Sequence, residues 1–400
     1  MWVEALIALR FLREGRAQTT MIVSGIAVGV AVIVFITALI TGLQNNIIER
    51  TLGTQAHIRV LPPEEVNHIV PPPPGTLPLV LEDKRPQRLR SINNWQQVQA
   101  TLDALPQVRA VSPSVTGPGF ARKGDAVVSV ALLGIDPPRY RQIIPLDQAI
   151  TSGQLRVEAG EVVIGRLLAD DLGLRVGDKL RLQGGLGRVS TLNVAGIFSL
   201  GVREVDQRFV YLGMQTAQSL LDLAGGVTVI EVTVTDIFAA ETVARRIAAL
   251  LSLRADSWMQ TNAQLMNALR SQTLSTVMIA VFVAVSVAFG IASVLSVSVQ
   301  QRTREIGILR AMGTRRQQML RVFLLQGAVL GLGGSLLGAA SGYGLVWIFN
   351  VFGPRLFYIP VSPLLVPAAM LLATLTGMVS AVAPARRAAW LAPVDAIRHV

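Results

Sequence analysis

The stretch that decides the fold is MIVSGIAVGVAVIVFITALITGL, residues 21–43, which contains no charged side chain. It exceeds the roughly 20 apolar residues that a helix needs to cross a bilayer. It is also longer than the core of a secretory signal peptide, and TGLQ at 41–44 is a poor cleavage site. The stretch therefore predicts a membrane anchor that is not removed.

Three later apolar stretches predict further membrane helices at 276–299, 320–352 and 364–384, of which the second carries a single charged residue, Arg321, near its start. Pro363 and Pro367 lie near the start of the last one, where a helix tolerates proline. The composition agrees with a membrane protein, because 51% of residues are hydrophobic, 15% are charged and the mean hydropathy is +0.51. We therefore expect four transmembrane helices.

The distribution of arginine orients these helices, since cationic residues favour the cytoplasmic side of short loops. It predicts a cytoplasmic N-terminal segment at 1–20, a cytoplasmic tail at 385–400 and an extracytoplasmic domain at 44–275 of an inner-membrane protein. Only Arg355 falls between the third and fourth spans. The arginines near the cytoplasmic ends are Arg10, Arg13, Arg16, Arg302, Arg304, Arg310, Arg315, Arg316, Arg321, Arg386, Arg387 and Arg398.

The net charge of +11 does not indicate nucleic-acid binding. Residues 44–275 hold 23 Lys and Arg against 21 Asp and Glu, and the membrane and cytoplasmic segments hold 13 against 4. The excess of positive charge thus follows membrane topology.

The segment 44–275 is predicted to be a large mixed α+β domain. Its strand candidates are 56–61, 108–115, 126–135, 176–182, 191–198, 208–212 and 227–235, and its helix candidates are 95–105, 165–172, 214–223 and 239–251. These elements show no strict βαβ repeat, so a Rossmann-type sheet is not expected. The proline-rich stretch 64–91 is predicted to be an exposed loop.

Motifs for catalysis or metal binding are not found in the sequence. There is no G-x-x-x-x-G-K-[ST] phosphate loop, no cysteine, and no metal-ligand spacing among His57, His68 and His399. The predicted spans carry no acidic or basic pair of the kind that marks an ion pathway. We therefore expect no catalytic site, cofactor or metal on this chain, and neither a channel nor a secondary transporter.

The third predicted span is rich in glycine at small-residue spacing, which allows close approach of another helix. Two interpretations remain open, packing within the chain's own bundle and packing across a dimer. The glycines are Gly327, Gly331, Gly334, Gly338 and Gly342.

The segment 300–318 predicts a short amphipathic helix on the cytoplasmic side, with Gly313 as a left-handed cap. A segment held by anionic lipid would need only its arginines. Glu305 and the apolar positions favour a soluble partner instead. The apolar positions are Ile306, Ile308, Leu309 and Met312.

Together these features resemble the MacB/FtsX/LolC-type ABC transporter permeases. The resemblance rests on REIGILRAMG at 304–313, FLLQG at 323–327, GSLLG at 334–338 and the tail PARRAA at 384–389. Within the domain, LGIDP at 133–137, EVVIG at 161–165 and GIF at 196–198 are most similar to the lipoprotein-releasing LolC/LolE branch. That branch carries a chaperone-docking hairpin whose place, residues 183–191, holds a short glycine-rich turn here.

The resemblance implies a complex with an ABC ATPase dimer that binds ATP and Mg²⁺, a second permease copy or paralogue, and membrane lipids. It implies two extracytoplasmic subdomains, one porter-like and one Sabre-like, the latter inserted at about 117–225. It also implies a coupling helix in which Ile306 and Leu309 fill a groove on the ATPase while Glu305 and the arginines fix the register. The implied coupling residues are Arg302, Arg304, Glu305, Ile306, Gly307, Leu309, Arg310, Met312 and Gly313.

Three functions follow from the resemblance. The first is extraction or export of lipoproteins or other lipidic cargo, with a periplasmic chaperone as partner. The second is mechanotransmission efflux through an adaptor protein, as in MacB. The third is an FtsX-like signalling permease that activates a cell-wall hydrolase.

Overall fold

The computed structural model describes residues 2–63, 89–185, 187–353 and 357–390. Most of the predicted loop 64–91, together with His68 and His399, lies outside these residues. The chain divides into two compact units, one formed by Met1–Ile48 with Asn267–Val400 and the other by Glu49–Met266. We describe each unit separately.

Secondary-structure elements are numbered in chain order. The helices are α1 Trp2–Glu14, α2 Arg16–Leu52, α3 Trp95–Asp103, α4 Pro137–Tyr140, α5 Arg166–Leu172, α6 Arg203–Arg208, α7 Met214–Leu220, α8 Ala240–Leu251, α9 Trp258–Thr261, α10 Ala263–Gln301, α11 Thr303–Ala311, α12 Arg316–Phe352 and α13 Leu365–Trp390. The strands are β1 Ile58–Leu61, β2 Val108–Lys123, β3 Ala126–Ile135, β4 Ile150–Gly153, β5 Glu161–Gly165, β6 Lys179–Gly184, β7 Val189–Phe198, β8 Phe209–Gly213, β9 Val229–Val234 and β10 Arg254–Ser257.

Four helices of the first unit, α2, α10, α12 and α13, are long and apolar enough to cross a membrane. Among the described residues, each of the four stretches that hydropathy predicts to cross the membrane forms such a helix. Their core is built from branched aliphatic side chains, among which Val34 and Leu295 are fully buried. The helices α2 and α13 contribute most of the buried residues of this core, and α10 and α12 contribute the others together with Leu12 of α1.

The fourth membrane helix continues beyond its predicted end at residue 384. Pro384 has no backbone N–H, so the carbonyl of Ser380 loses its helical donor at this point. The helix nevertheless extends to Trp390, because Ala385 and Ala388 after the proline are fully buried. Packing of small side chains thus outweighs the local cost of the proline.

The N-terminal segment forms the helix α1. It buries Ala8, Phe11 and Leu12 within the first unit. The chain then turns at Gly15, and the Thr19 hydroxyl donates to the Leu12 carbonyl at 3.0 Å across this turn. The sequence predicted that this segment is cytoplasmic but did not predict that it is helical.

Ten strands are found in the described part of the second unit, in the order β10-β1-β9-β2-β3-β8-β5-β7-β4, with β6 paired to β2 and β7. The strand β2 is 16 residues long and changes partners along its length. Residues 108–114 pair with β9, and residues 115–123 pair with β3. One continuous strand therefore joins two groups of strands.

The pairings on the second half of β2 close into a ring of six strands. β2 pairs with β3, β3 with β8, β8 with β5, β5 with β7, β7 with β6, and β6 with β2. Within this ring, β5 and β8 are buried on both faces, as Val162 and Val163 on β5 illustrate, and their sequences are short continuous apolar runs. The strands β6 and β7 instead alternate between buried and exposed residues, as expected when one face meets solvent.

The structure confirms all seven predicted strands and all four predicted helices of this unit, with shifted ends. The largest shift is in β2, which was predicted to end at residue 115 and instead ends at Lys123. Gly117 and Gly119 lie inside the additional part of this strand, where neighbouring atoms fill the space that a Cβ would need. The short strands β4, β5 and β10 were not predicted.

The buried carboxylate of Asp206 organises the loop that follows β7. It is 3% exposed and accepts from the Ser199 hydroxyl at 2.8 Å and from the backbone N–H groups of Leu200 at 2.8 Å and Gly201 at 3.3 Å. Since backbone donors in a buried loop need an acceptor, this side chain fixes the loop conformation.

We predict that Asp206→Ala will open this loop at a cost of about 2–3 kcal/mol, because two backbone donors lose a charged acceptor. Hydrogen exchange of residues 198–208 should accelerate accordingly. Asp206→Asn retains one acceptor oxygen and should have a smaller effect. The exposed Asp170→Ala is the control and should leave exchange unchanged, and equal acceleration in both alanine variants would contradict the assignment.

Candidate functional site

The candidate site is the helix α11, which follows α10 after one residue. It ends in two hydrogen bonds that satisfy its last carbonyl groups, Gly313 N–H to Arg310 at 3.1 Å and Thr314 N–H to Leu309 at 3.2 Å. Gly313 has a φ of 99°. The left-handed cap predicted at Gly313 is confirmed.

We predict that Gly313→Ala will destabilise this cap by about 1–2 kcal/mol, because an L-residue resists the left-handed region. Hydrogen exchange of residues 303–314 should accelerate. The control is Gly333→Ala in α12, where an added Cβ meets nothing within 4 Å. That substitution should leave exchange unchanged or slow it, since alanine favours a helix.

One side of α11 is buried within its own unit. Ile306 is 0% exposed and Gly307 is also buried, while Leu309 is partly buried. The surrounding cluster comes from α1, α10, α12 and α13, and consists of Ala8, Phe11, Val299, Met319, Val322, Phe323, Ala385, Ala388 and Ala389. The expectation that Ile306 fills a groove on a partner is therefore not supported, because this side chain is enclosed by the chain itself.

The opposite side of α11 is open. Arg304 and Glu305 are exposed, Ile308 is 45% exposed and Met312 is 72% exposed. These four residues form what we call the outer face of α11. It combines both signs of charge with two large apolar side chains, which suits contact with a protein surface.

Arg302 faces inward as well, and it connects α11 to α1. Its guanidinium lies 4.8 Å from the centre of the Phe11 ring and 3.3 Å from the Glu14 carboxylate. Only 13% of its side chain is exposed. Arg302 is therefore not available to a soluble partner, because its guanidinium already interacts with Phe11 and Glu14 of the same unit.

The exposed side of α1 adds charge beside the outer face. The Glu14 carboxylate, 2.7 Å from Arg10, raises the pKa of that guanidinium, and Glu305 adds a smaller contribution in the same direction. Arg310 is partly buried, and its Nε has no hydrogen-bond partner among the described residues. Sequence reasoning missed the contribution of α1, because its amphipathic pattern covers only 13 residues.

The glycines of α12 lie against two other helices of the same chain. A Cβ on Gly327 would lie 2.5 Å from the Gly377 carbonyl oxygen of α13, and one on Gly331 would lie 2.9 Å from the Cα of Thr374. Three further glycines face α2. An added Cβ would lie 2.6 Å from the Ile26 Cβ at Gly334, 2.6 Å from the Ala27 carbonyl oxygen at Gly338 and 3.0 Å from the Val34 Cβ at Gly342.

These distances mean that no side chain larger than hydrogen fits without separating the helices. Of the two interpretations left open by the sequence, the structure describes packing within the bundle. The close approach lets backbones contact directly, which is how small residues associate helices in a membrane.

His57 has a structural role. Its Nδ1 accepts from the Val234 N–H at 3.1 Å, and burial lowers its pKa. Among the described residues, no three His, Cys, Asp or Glu side chains are grouped closely enough to hold a metal ion.

Four apolar helices, a mixed α/β unit between the first two of them and an amphipathic helix after the second define a multi-pass membrane permease. Two family models match the chain: the MacB-like periplasmic core domain at residues 19–250 and the FtsX-like permease C-terminal domain at residues 277–393. The first covers more than half of the chain. The chain therefore belongs to the MacB/FtsX-like family of ABC transporter permeases.

Curated relatives match along nearly the whole chain. The lipoprotein-releasing system transmembrane protein LolC of Xylella fastidiosa is 25% identical over 432 residues, covering 98% of each chain. The macrolide export ATP-binding/permease protein MacB of Rhodopseudomonas palustris is 27% identical over 404 residues, covering 98% of this chain but 59% of that protein. Among solved structures, the periplasmic region of MacB from Actinobacillus actinomycetemcomitans matches 55% of this chain with 15% identity and a TM-score of 0.34.

Proposed function

We propose that the chain is the permease subunit of a lipoprotein-releasing type of ABC transporter, in which a separate ATPase chain drives movement of the extracytoplasmic unit. The observation that carries the proposal is the outer face of α11. Arg304, Glu305, Ile308 and Met312 are available to a soluble partner, while the rest of the helix is fixed to the unit.

Movement imposed on α11 would pass directly into the bundle. Ile306 is buried among residues of four helices, and Arg302 joins α11 to α1 through Phe11 and Glu14. Packed cores shift as rigid bodies rather than deform continuously. The membrane helices would therefore follow the ATPase, and no polar pore is needed for such mechanical work.

The contacts expected on the ATPase are revised accordingly. Ile308 and Met312 replace Ile306 as the apolar side chains that enter its groove, while Arg304 and Glu305 set the register. Gly307, Leu309 and Arg310 would act by holding the helix in place, and Gly313 by ending it. ATP and Mg²⁺ would be bound by the ATPase dimer.

The topology proposed is that of an inner-membrane protein with both termini in the cytoplasm. The concentration of arginine at the ends of the spans supports this orientation. The unit Glu49–Met266 would then lie outside. Membrane lipids and a second permease copy or paralogue complete the proposed complex, and no nucleic acid is involved.

We also propose that the extracytoplasmic unit consists of a porter-like and an inserted Sabre-like subdomain. The change of partners along β2 near residue 115 supports a boundary there. The six-stranded ring would form the inserted part, and β1, β9, β10 and the first half of β2 would form the other.

Lipidic cargo is the favoured substrate class, because the relatives named as lipoprotein-releasing proteins match over their full length. One observation favours a MacB-like efflux role as the second candidate. The β6–β7 connection is a short turn in which the Gly184 N–H donates to the Arg188 carbonyl at 2.8 Å. Such a turn is shorter than the chaperone-docking hairpin that the LolC branch carries.

The proposal is tested by purifying the tagged chain from its native membrane and identifying bound proteins and lipids by mass spectrometry. We expect an ABC ATPase and a second permease in every preparation, together with a lipoprotein or its chaperone. An adaptor and an outer-membrane channel instead would establish the second candidate. Purification without any ATPase would overturn the coupling role.

A further inference from the structure

A group of buried polar side chains on β2 and β9 is not used by the proposed transport mechanism. Four oxygen atoms, on Ser112, Ser114, Glu231 and Thr233, have no hydrogen-bond partner among the described residues. The four residues are between 0% and 8% exposed. Leaving such groups unpaired costs about 1–3 kcal/mol each. The stability of this part of the sheet therefore depends on whether these groups are charged or neutral.

The strand register brings these side chains to one face of the sheet. Glu231 lies directly opposite Ser112 on β2 and directly opposite Arg59 on β1. Side chains two residues apart on a strand point to the same face, which adds Ser114 and Thr233. The positions next to Glu231 in the sheet are therefore occupied by Ser112 on β2 and by Arg59 on β1.

Two buried tyrosines interact electrostatically with Glu231. Tyr140 from α4 is 2% exposed, and its ring lies 5.7 Å from that of Tyr211 on β8. After burial itself, the charge of Glu231 is the next cause that raises the pKa of Tyr140. The charged or titratable groups that interact with Glu231 include Arg59, Tyr140 and Tyr211, and the register places Asp256 on β10 directly opposite Arg59.

We infer that Glu231 is a proton-binding site that controls the pairing of β2 with β9. With the proton bound, the carboxyl group and the buried face around it are neutral. Without it, a carboxylate is enclosed by neutral groups and one partly buried arginine, which favours opening of the strands to water. The inference concerns the extracytoplasmic unit alone and does not depend on the transport function.

The direction of the pH dependence follows from the pKa of this group. Burial raises the pKa of Glu231 from 4.5 to about 7, and Arg59 opposes this shift. Because the pKa is raised when β2 and β9 are paired, which we call the closed state, the stability of this pairing is greatest below pH 4.5 and falls as the pH rises towards 7. Above that pH the closed state is weaker but no longer changes with pH.

The location of the site gives this change a structural consequence. Ser112 and Ser114 immediately precede residue 115, where β2 leaves β9 and begins to pair with β3. Weakening at residues 108–114 would loosen the connection between the six-stranded ring and the β1, β9 and β10 strands. The pH outside the cell membrane would then set the stiffness of the unit.

Hydrogen exchange of the full-length chain in lipid nanodiscs at pH 5, 6, 7 and 8 tests this inference. After correction for intrinsic exchange rates, protection of residues 108–114 and 229–234 should fall up to about tenfold per pH unit between pH 5 and 7 and then level off. Glu231→Gln should remove this dependence. The exposed Glu158→Gln is the matched control and should retain the wild-type profile.

A second variant keeps the test decisive if Glu231→Gln does not fold. Arg59→Gln removes the opposing cation, so the pH at which protection levels off should move upward. Flat protection in the wild type, the same slope in Glu231→Gln, or no movement of the profile in Arg59→Gln would each overturn the inference.

Discussion

Gly338→Leu should prevent α2 and α12 from packing and leave little folded protein. A Cβ at this position already lies 2.6 Å from the Ala27 carbonyl oxygen and 2.7 Å from the Val30 Cβ. The added side chain must push a helix backbone away, which we expect to cost about 3 kcal/mol or more. The fraction that remains monodisperse in detergent after heating measures the effect.

The chain provides a matched control six residues further along the same helix. A Cβ on Gly344 meets nothing within 4 Å. Gly344→Leu should therefore stay folded, and its thermal midpoint should lie close to that of the wild type. If both leucine variants behaved alike, close packing of α12 on α2 would not be the reason for the glycines.

Met312→Asp should abolish assembly with the ATPase without unfolding the chain. Met312 is 72% exposed, so its replacement leaves the core intact, but a charge would enter the proposed apolar groove. A buried unpaired charge costs several kcal/mol, which corresponds to at least a hundredfold loss of affinity. Glu305→Lys should also weaken assembly, because it reverses a charge that is proposed to set the register of α11 on the ATPase. Retention of the ATPase on a tagged permease measures both.

Two controls separate contact from folding. Gln317→Asp introduces the same charge at an exposed position of the first turn of α12 and should retain the ATPase. Ile306→Asp places the charge in the core and should lower the thermal midpoint as well as assembly. Normal assembly of Met312→Asp would show that the outer face of α11 is not the contact.

The sequence predicted the four membrane helices because each depends on a local property, a long apolar run. The same holds for the cap at Gly313, where a single residue has the required conformational freedom. The end of α13 could not be predicted in this way. Its continuation past Pro384 depends on contacts of Ala385 and Ala388 with residues that are distant in sequence.

The candidate site was only partly predictable for the same reason. Apolar residues at 306, 308, 309 and 312 surround most of α11, so periodicity does not determine which of them face inward. The inward face is set by the helices packed against α11, among them α1, which places Phe11 beside Arg302. The partners of Glu231 depend likewise on strand register, which the sequence of β9 alone does not reveal.

The strand β2 also determines how the second unit, Glu49–Met266, would respond to force. Its residues pair with β9 along the first half and with β3 and β6 along the second. A pull along the strand loads many hydrogen bonds together in shear, whereas a pull across it would open them one at a time. The unit should therefore transmit tension along β2 with little extension, and yield most easily to sideways load at residue 115.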